Sequence, residues 1–325
     1  MVEPWGGEWK CDGLFATSRS QTRMYLRNRN GGKAPHRQAG SPSRERQDCQ
    51  AKGTGLTAGE FKQRHAALAE LLCHRRIEAP TRAARCELIG QRVIAASPAM
   101  DGANFTRTVA RDLTYMAELY DDQFLDGHLL ALARHFGMRF RWSKRMTSNG
   151  GKTVRTMGRD PHTRRPFVRY EIVLSATLLF QTFADLRRPV RVSGVLCCNR
   201  LQAMQRILEH ELVHLAEMLV WGDSCCAAAR FHSIAGRLFG HTEHKHELIT
   251  QLERAQQKFN VTVGSHVEFS MAGKRLAGTV NRITRRATVL VPDPQGQLYD
   301  DGRRYTKYYV PLSHLRVTPL RPNKQ

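Results

Sequence analysis

Hydrophobic residues recur with a regular period from residue 56 onward, and with none before it. Up to about residue 55 the chain is rich in Arg, Gly, Ser and Gln, with RNRNGGKAPHRQAGSPSRERQ at its centre. Such a segment buries too little apolar surface to order itself. Phe61, Ala66, Leu68, Leu71 and Leu72 then take helical spacing within EFKQRHAALAELLCHRRIEA, while Pro80 and Pro98 interrupt the stretch after it. Residues 1–100 are therefore expected to be a disordered or weakly helical basic leader, adding at most a helix or two outside the main core. Met100 opens a segment of stronger pattern and is an alternative start of translation.

From Phe105 the periods become decisive. FTRTVARDLTYMAELYDDQF sets Val109, Leu113, Met116, Leu119 and Tyr120 on one helical face. MRFRWSKRM alternates Met138, Phe140 and Trp142 with Arg139, Arg141 and Ser143, the period of a half-buried strand. SNGG at 148–151 reads as a turn, KTVRTM as the strand returning from it, and YEIVLS at 170–175 as a further strand. After a short helical ATLLFQTFADL, residues 199–221 carry the longest helical pattern in the chain, with Asn199 as N-cap and Gly222 just past the end. A second helix, ARFHSIAGRLF, stops at Gly240.

Beyond about residue 262 the pattern shortens to HVEFSM, RLAGTVNRI, ATVLVPD and RYTKYYVPLSHLRVTPL, separated by turn residues, which predicts a small closed barrel. The fold class is thus α+β, with a catalytic-size core over 105–255 and an all-β module over 262–318. That module has Gly264, Val267, Gly278 and Val280 spaced much as in SH3-like barrels.

Charge alters this picture more than composition does. Lys and Arg number 51 against 29 Asp and Glu, a formal net charge of +22. It is spread as +8 over 1–100, +7 over 101–261 and +7 over 262–325, so no single tail accounts for it. A surface of this kind seeks polyanions, nucleic acid first. Arg282, Arg285, Arg286, Arg303, Arg304 and Lys307, interleaved with Tyr299, Tyr305, Tyr308 and Tyr309, supply cations for phosphates and rings for bases. A solvated basic face is the alternative. No apolar run reaches the roughly 18 residues of a membrane span, and MVEPWGGEWK lacks the layout of a secretory signal, so a cytoplasmic, non-membrane protein is expected. Eight cysteines without a C-x-x-C point to reduced thiols rather than a disulfide framework or zinc ribbon.

The sharpest local signal is His210-Glu211-Leu212-Val213-His214. Histidines at i and i+4 stack on one face of a helix, so both imidazoles can reach one ion, Zn²⁺ by preference. Glu211 beside the first histidine can accept a proton from a water activated there. With 14 histidines in the chain, chance yields on the order of 0.03 such patterns. The helix around it is mostly apolar, and two histidines with Glu209 and Glu211 on a buried helix are costly without a partner. A third ligand must come from beyond the helix, because Glu217 and Val220 stand where a His-x-x-Gly-x-x-His continuation needs Gly and His.

ELYDDQF, RWSKRMT, YEIVLS, LEHELVHLAEML and RFHSIAGRLFGH, in that order over roughly residues 105–250, resemble the SprT-like (Spartan-related) zinc metalloproteases. The resemblance implies a zincin-like core, His210 and His214 as zinc ligands, Glu211 as general base, and DNA-bound or DNA-crosslinked proteins as substrates. It departs at the third ligand: the family's histidine falls at Ala227, leaving Cys226 one residue away and His232 five, with His241 a further candidate. The functional expectation is a zinc metallopeptidase with a protein substrate and DNA as partner. A non-catalytic nucleic-acid-binding protein with a structural or vestigial zinc site is the alternative.

Overall fold

The computed structural model describes residues 55–185 and 188–318, which divide into a unit from Gly55 to Thr250 and another beginning at Gln251. The first 54 residues of the expected leader lie outside the described residues.

The first unit begins with α1 (Ala58–His74) and α2 (Ala79–Ala96). Thr57 and Glu60 close a capping box on α1, each side chain bonded to the other's backbone N–H. Both helices belong to the main core, which corrects the expectation of a leader lying outside it: Leu68, Leu71, Leu72, Ile89 and Val93 join the cluster that also holds Leu208 and Leu212. The prolines do not interrupt this arrangement. Pro80 stands in the first turn of α2, where its missing N–H is no loss, and Pro98 lies beyond that helix's end.

Next come α3 (Ala110–Leu125), α4 (His128–Phe136), β1 (Met138–Ser143), β2 (Gly151–Arg159), β3 (Pro166–Ser175) and α5 (Ala176–Thr182). The three strands form a sheet of order β1-β3-β2, with β1 parallel and β2 antiparallel to β3. Hence β2 does not return alongside β1 as the turn residues suggested. β3 lies between them, because Ile172, Val173 and Leu174 make it the strand that tolerates burial on both sides. A short hairpin, β4 (Val190–Val192) with β5 (Val195–Cys197), leads into α6 (Arg200–Val220) and α7 (Ala229–Phe239).

α6 touches every other helix of its unit and runs alongside β2. Asn199 caps it by accepting from Gln202 N–H, and Gly222 leaves it with φ +81°. Fifteen of its 21 residues are buried, including Arg200, Arg206, Glu209, Glu211 and Glu217.

The second unit opens with α8 (Gln251–Phe259), which precedes the expected boundary at 262 because Ala255 and Val261 belong to its core. It continues with β6 (His266–Met271), β7 (Lys274–Ile283), β8 (Ala287–Leu298), β9 (Arg304–Val310), a 3₁₀ turn at Leu312–His314 and β10 (Arg316–Val317). The sheet order is β10-β6-β7-β8-β9. Its end strands β9 and β10 do not pair with each other, so it is an open five-stranded sheet and not the closed barrel expected. The protein is α+β; none of its six described cysteines is in a disulfide, and no described helix is long and apolar enough to cross a membrane.

Core membership of the first two helices has a measurable consequence. Leu72→Ala should cost about 2–5 kcal/mol in denaturant unfolding, the range for truncating a buried leucine. A loss within 0.5 kcal/mol would mean that α1 lies outside the core.

Candidate metal centre

His210 and His214 are one turn apart on α6, and their Nε2 atoms approach to 3.1 Å. Cys226, in the loop between α6 and α7, completes a cluster whose ligand atoms all lie within 4.8 Å of one another. Two imidazoles bound to one tetrahedral zinc at about 2.0–2.1 Å would hold their nitrogens about 3.3 Å apart, and a thiolate sulfur about 3.6 Å from each. The histidine pair matches this spacing, and the Cys226 sulfur lies within 4.8 Å of both imidazoles' ligand atoms. The donors therefore fit Zn²⁺, which takes nitrogen and thiolate ligands.

Electrostatics agree with ligation. Burial, reinforced by neighbouring histidines, holds the His210 imidazole well below its ordinary pKa, and burial brings that of His214 down to about 4. Both rings are neutral at neutral pH, the form that binds metal. The ring of Phe231 stands 4.8 Å from His210 and 4.6 Å from His214, covering the pair with an apolar face.

Glu211 is held by β2. Thr153 Oγ1 lies 2.8 Å from Glu211 Oε2 and 3.0 Å from the Glu211 carbonyl oxygen. Burial pushes the carboxyl up to about 8, against the lowering influence of the Thr153 hydrogen bonds. A Cβ on Gly151 would stand 2.5 Å from Glu211 Oε1, so glycine is required where the strand passes the carboxylate.

The loop carrying Cys226 is pinned at several points. His214 Nδ1 lies 2.7 Å from Ser224 Oγ, and the Ser224 hydroxyl donates to Glu217. Arg230, in the first turn of α7, donates to Glu217 Oε1 at 2.7 Å and to Asp223 Oδ1 at 2.9 Å. Its guanidinium also lies 4.7 Å from the Trp221 ring centroid.

Of the third-ligand candidates, Cys226 alone joins the histidine pair. His232 packs its ring 5.3 Å from that of His244. His241 Nε2 lies 2.9 Å from Glu209 Oε2, in a separate buried group. Thr153, Gly151, Ser224 and Phe231 were not foreseen from the sequence. Glu217, three residues after His214, lies on the same helical side.

The six basic residues singled out in the second unit are all exposed but do not form one surface. Arg282 pairs across the sheet with Thr288, and Thr288 with Tyr309, so these three share a face. Leu290 and Lys307 occupy the next such row. Arg285 and Arg286 lie in the β7–β8 turn, and Arg303 and Arg304 at the start of β9. Tyr309 is 61% exposed, whereas Tyr299 is 1% exposed and is therefore closed to stacking by a ligand.

Compared with known protein families, curated proteins and solved structures, the chain matches none.

This geometry predicts one divalent ion per chain. Loading with Co²⁺ should give thiolate-to-metal charge-transfer absorption in the near ultraviolet that Cys226→Ser removes and His232→Ala leaves unchanged. A parent protein that binds Co²⁺ without this band, and loses the ion in His232→Ala but not in Cys226→Ser, would return the third position to His232.

Proposed function

We propose that the first unit is a zinc metallopeptidase with a SprT-like core. The observation that carries this reading is the convergence of His210 Nε2, His214 Nε2 and Cys226 beside a buried Glu211. When bound, Zn²⁺ supplies a Lewis acid for the scissile carbonyl and acidifies water. Glu211 takes a proton from the attacking water and returns it to the leaving amine. A cation at the histidine pair favours the carboxylate form of Glu211 and so opposes the burial that raises its pKa when no ion is present. Thr153 of β2 holds that carboxylate through a hydrogen bond of 2.8 Å.

Substrate enters this reading through β2 rather than β3, the strand named from sequence, because both sides of β3 are already paired. β2 pairs only with β3 among the described strands. An extended peptide adding to its open edge is held by main-chain hydrogen bonds, which gives low sequence selectivity. Three convergent donors among the described residues, not four, favour a reactive site over a structural one, since a closed structural site leaves no place for water.

A second reading concerns the other unit, which we take as an open SH3-like barrel that binds single-stranded DNA. It is favoured by the row Arg282–Thr288–Tyr309 with Lys307 beside it: an exposed ring flanked by cations suits stacked bases and a phosphate backbone. With peptidase activity in the first unit, this reading makes DNA-bound proteins the substrate class.

Two experiments test these readings. Glu211→Gln should lower the hydrolysis of an unfolded protein substrate by about 10²–10⁴-fold, the range for a lost general base, while bound zinc stays at one per chain. Undiminished hydrolysis excludes the mechanism. Tyr309→Ala should weaken binding of a fluorescent single-stranded DNA about 5- to 150-fold in anisotropy titrations, and rising salt should weaken binding by the unaltered protein steeply. Equal binding by variant and parent, or preference for RNA, removes the DNA reading.

A further inference from the structure

We infer that Arg230, Glu217 and Ser224 form a hydrogen-bonded relay that fixes the tautomer of His214 and so presents its Nε2 lone pair to a divalent cation. This deepens the metal reading and rests on it for its purpose, though not for its geometry.

The hydrogens in this chain of groups can be assigned one by one. Glu217 is fully buried, and its two carboxylate oxygens are taken by different donors, Arg230 Nε on Oε1 at 2.7 Å and the Ser224 hydroxyl on Oε2. Paired with a guanidinium, the carboxylate is an acceptor only. It therefore claims the one hydrogen that Ser224 has to give. Ser224 Oγ, with its hydrogen committed, can meet His214 Nδ1 at 2.7 Å only by accepting. Nδ1 must then carry the proton of the neutral ring, and Nε2 is left with its lone pair. Nε2 is the atom that faces His210 Nε2 at 3.1 Å, in the centre of the candidate site.

Arg230 also holds the loop as a body, bonding Asp223 through both its backbone oxygen at 3.2 Å and its carboxylate at 2.9 Å. One cation thus anchors Ser224, which orients a histidine, and the segment that brings Cys226 to the site. None of these three residues touches the ligand position, so they are positioning residues, and their effect should appear in metal affinity and in the tautomer.

The experiment uses the full chain. In zinc-free protein, long-range ¹H–¹⁵N correlation spectra should show His214 protonated at Nδ1, and Ser224→Ala should populate the other tautomer. Competition with a chromophoric chelator should show Zn²⁺ affinity lower by about 10- to 100-fold in Ser224→Ala and Glu217→Gln. Ser224→Thr, which keeps the hydroxyl, should restore both properties. An Nε2-protonated His214 in the parent protein, or parental Zn²⁺ affinity in a folded Ser224→Ala, overturns the relay. If the parent protein takes up no Zn²⁺, the metal reading falls, and the tautomer measurement still decides the relay.

Discussion

A helix buried on every side can carry ionisable groups only if each finds a partner, because an unpaired charge in an apolar interior costs several kcal/mol. α6 is such a helix, and it carries Arg200, Arg206, Glu209, His210, Glu211, His214 and Glu217. The rest of the first unit is arranged to answer those demands. Arg200 is met by carbonyl oxygens of Asn104, Leu179 and Phe180. Arg206 pairs with Glu209 at 2.6 Å and reaches Cys86 on α2, and Glu209 is also met by His241. Glu217 is met by Arg230 and Ser224.

The groups that remain are concentrated at one place. His210 and His214 turn ring nitrogens toward each other, and the buried Glu211 beside them is met by a single hydroxyl, that of Thr153. The helix that pairs its other buried ions brings two imidazole nitrogens within 3.1 Å of each other, and a cation placed there would satisfy both, in keeping with the proposed metal reading. Cys226 closes on the same spot from a loop fastened by Arg230, so the third donor comes from the same ion-pair chemistry that neutralises Glu217.

Helix periods and caps were legible along the chain, since Asn199 acts through its side chain on the N–H of Gln202 three residues on, and Gly222 and Gly240 through their own backbones. The histidine spacing was legible for the same reason. Strand order was not: a turn at 148–151 says that the chain reverses, but not that β3 will slip between the two strands it joins. The helices at 58–74 and 79–96 are faint in the sequence because their buried faces are narrow, and a narrow apolar face declares itself only against the surface it packs on.

Sequence alone thus determined the two histidines, the glutamate between them and the helix that carries them, all set by one local period of 3.6 residues. Only the tertiary structure decided that Cys226 and not His232 or His241 joins them, that β2 supplies Thr153 and makes room at Gly151, and that Arg230 holds the loop. Those choices depend on contacts between segments far apart in the chain. Their energies come from burial and charge pairing in three dimensions, which no local spacing records.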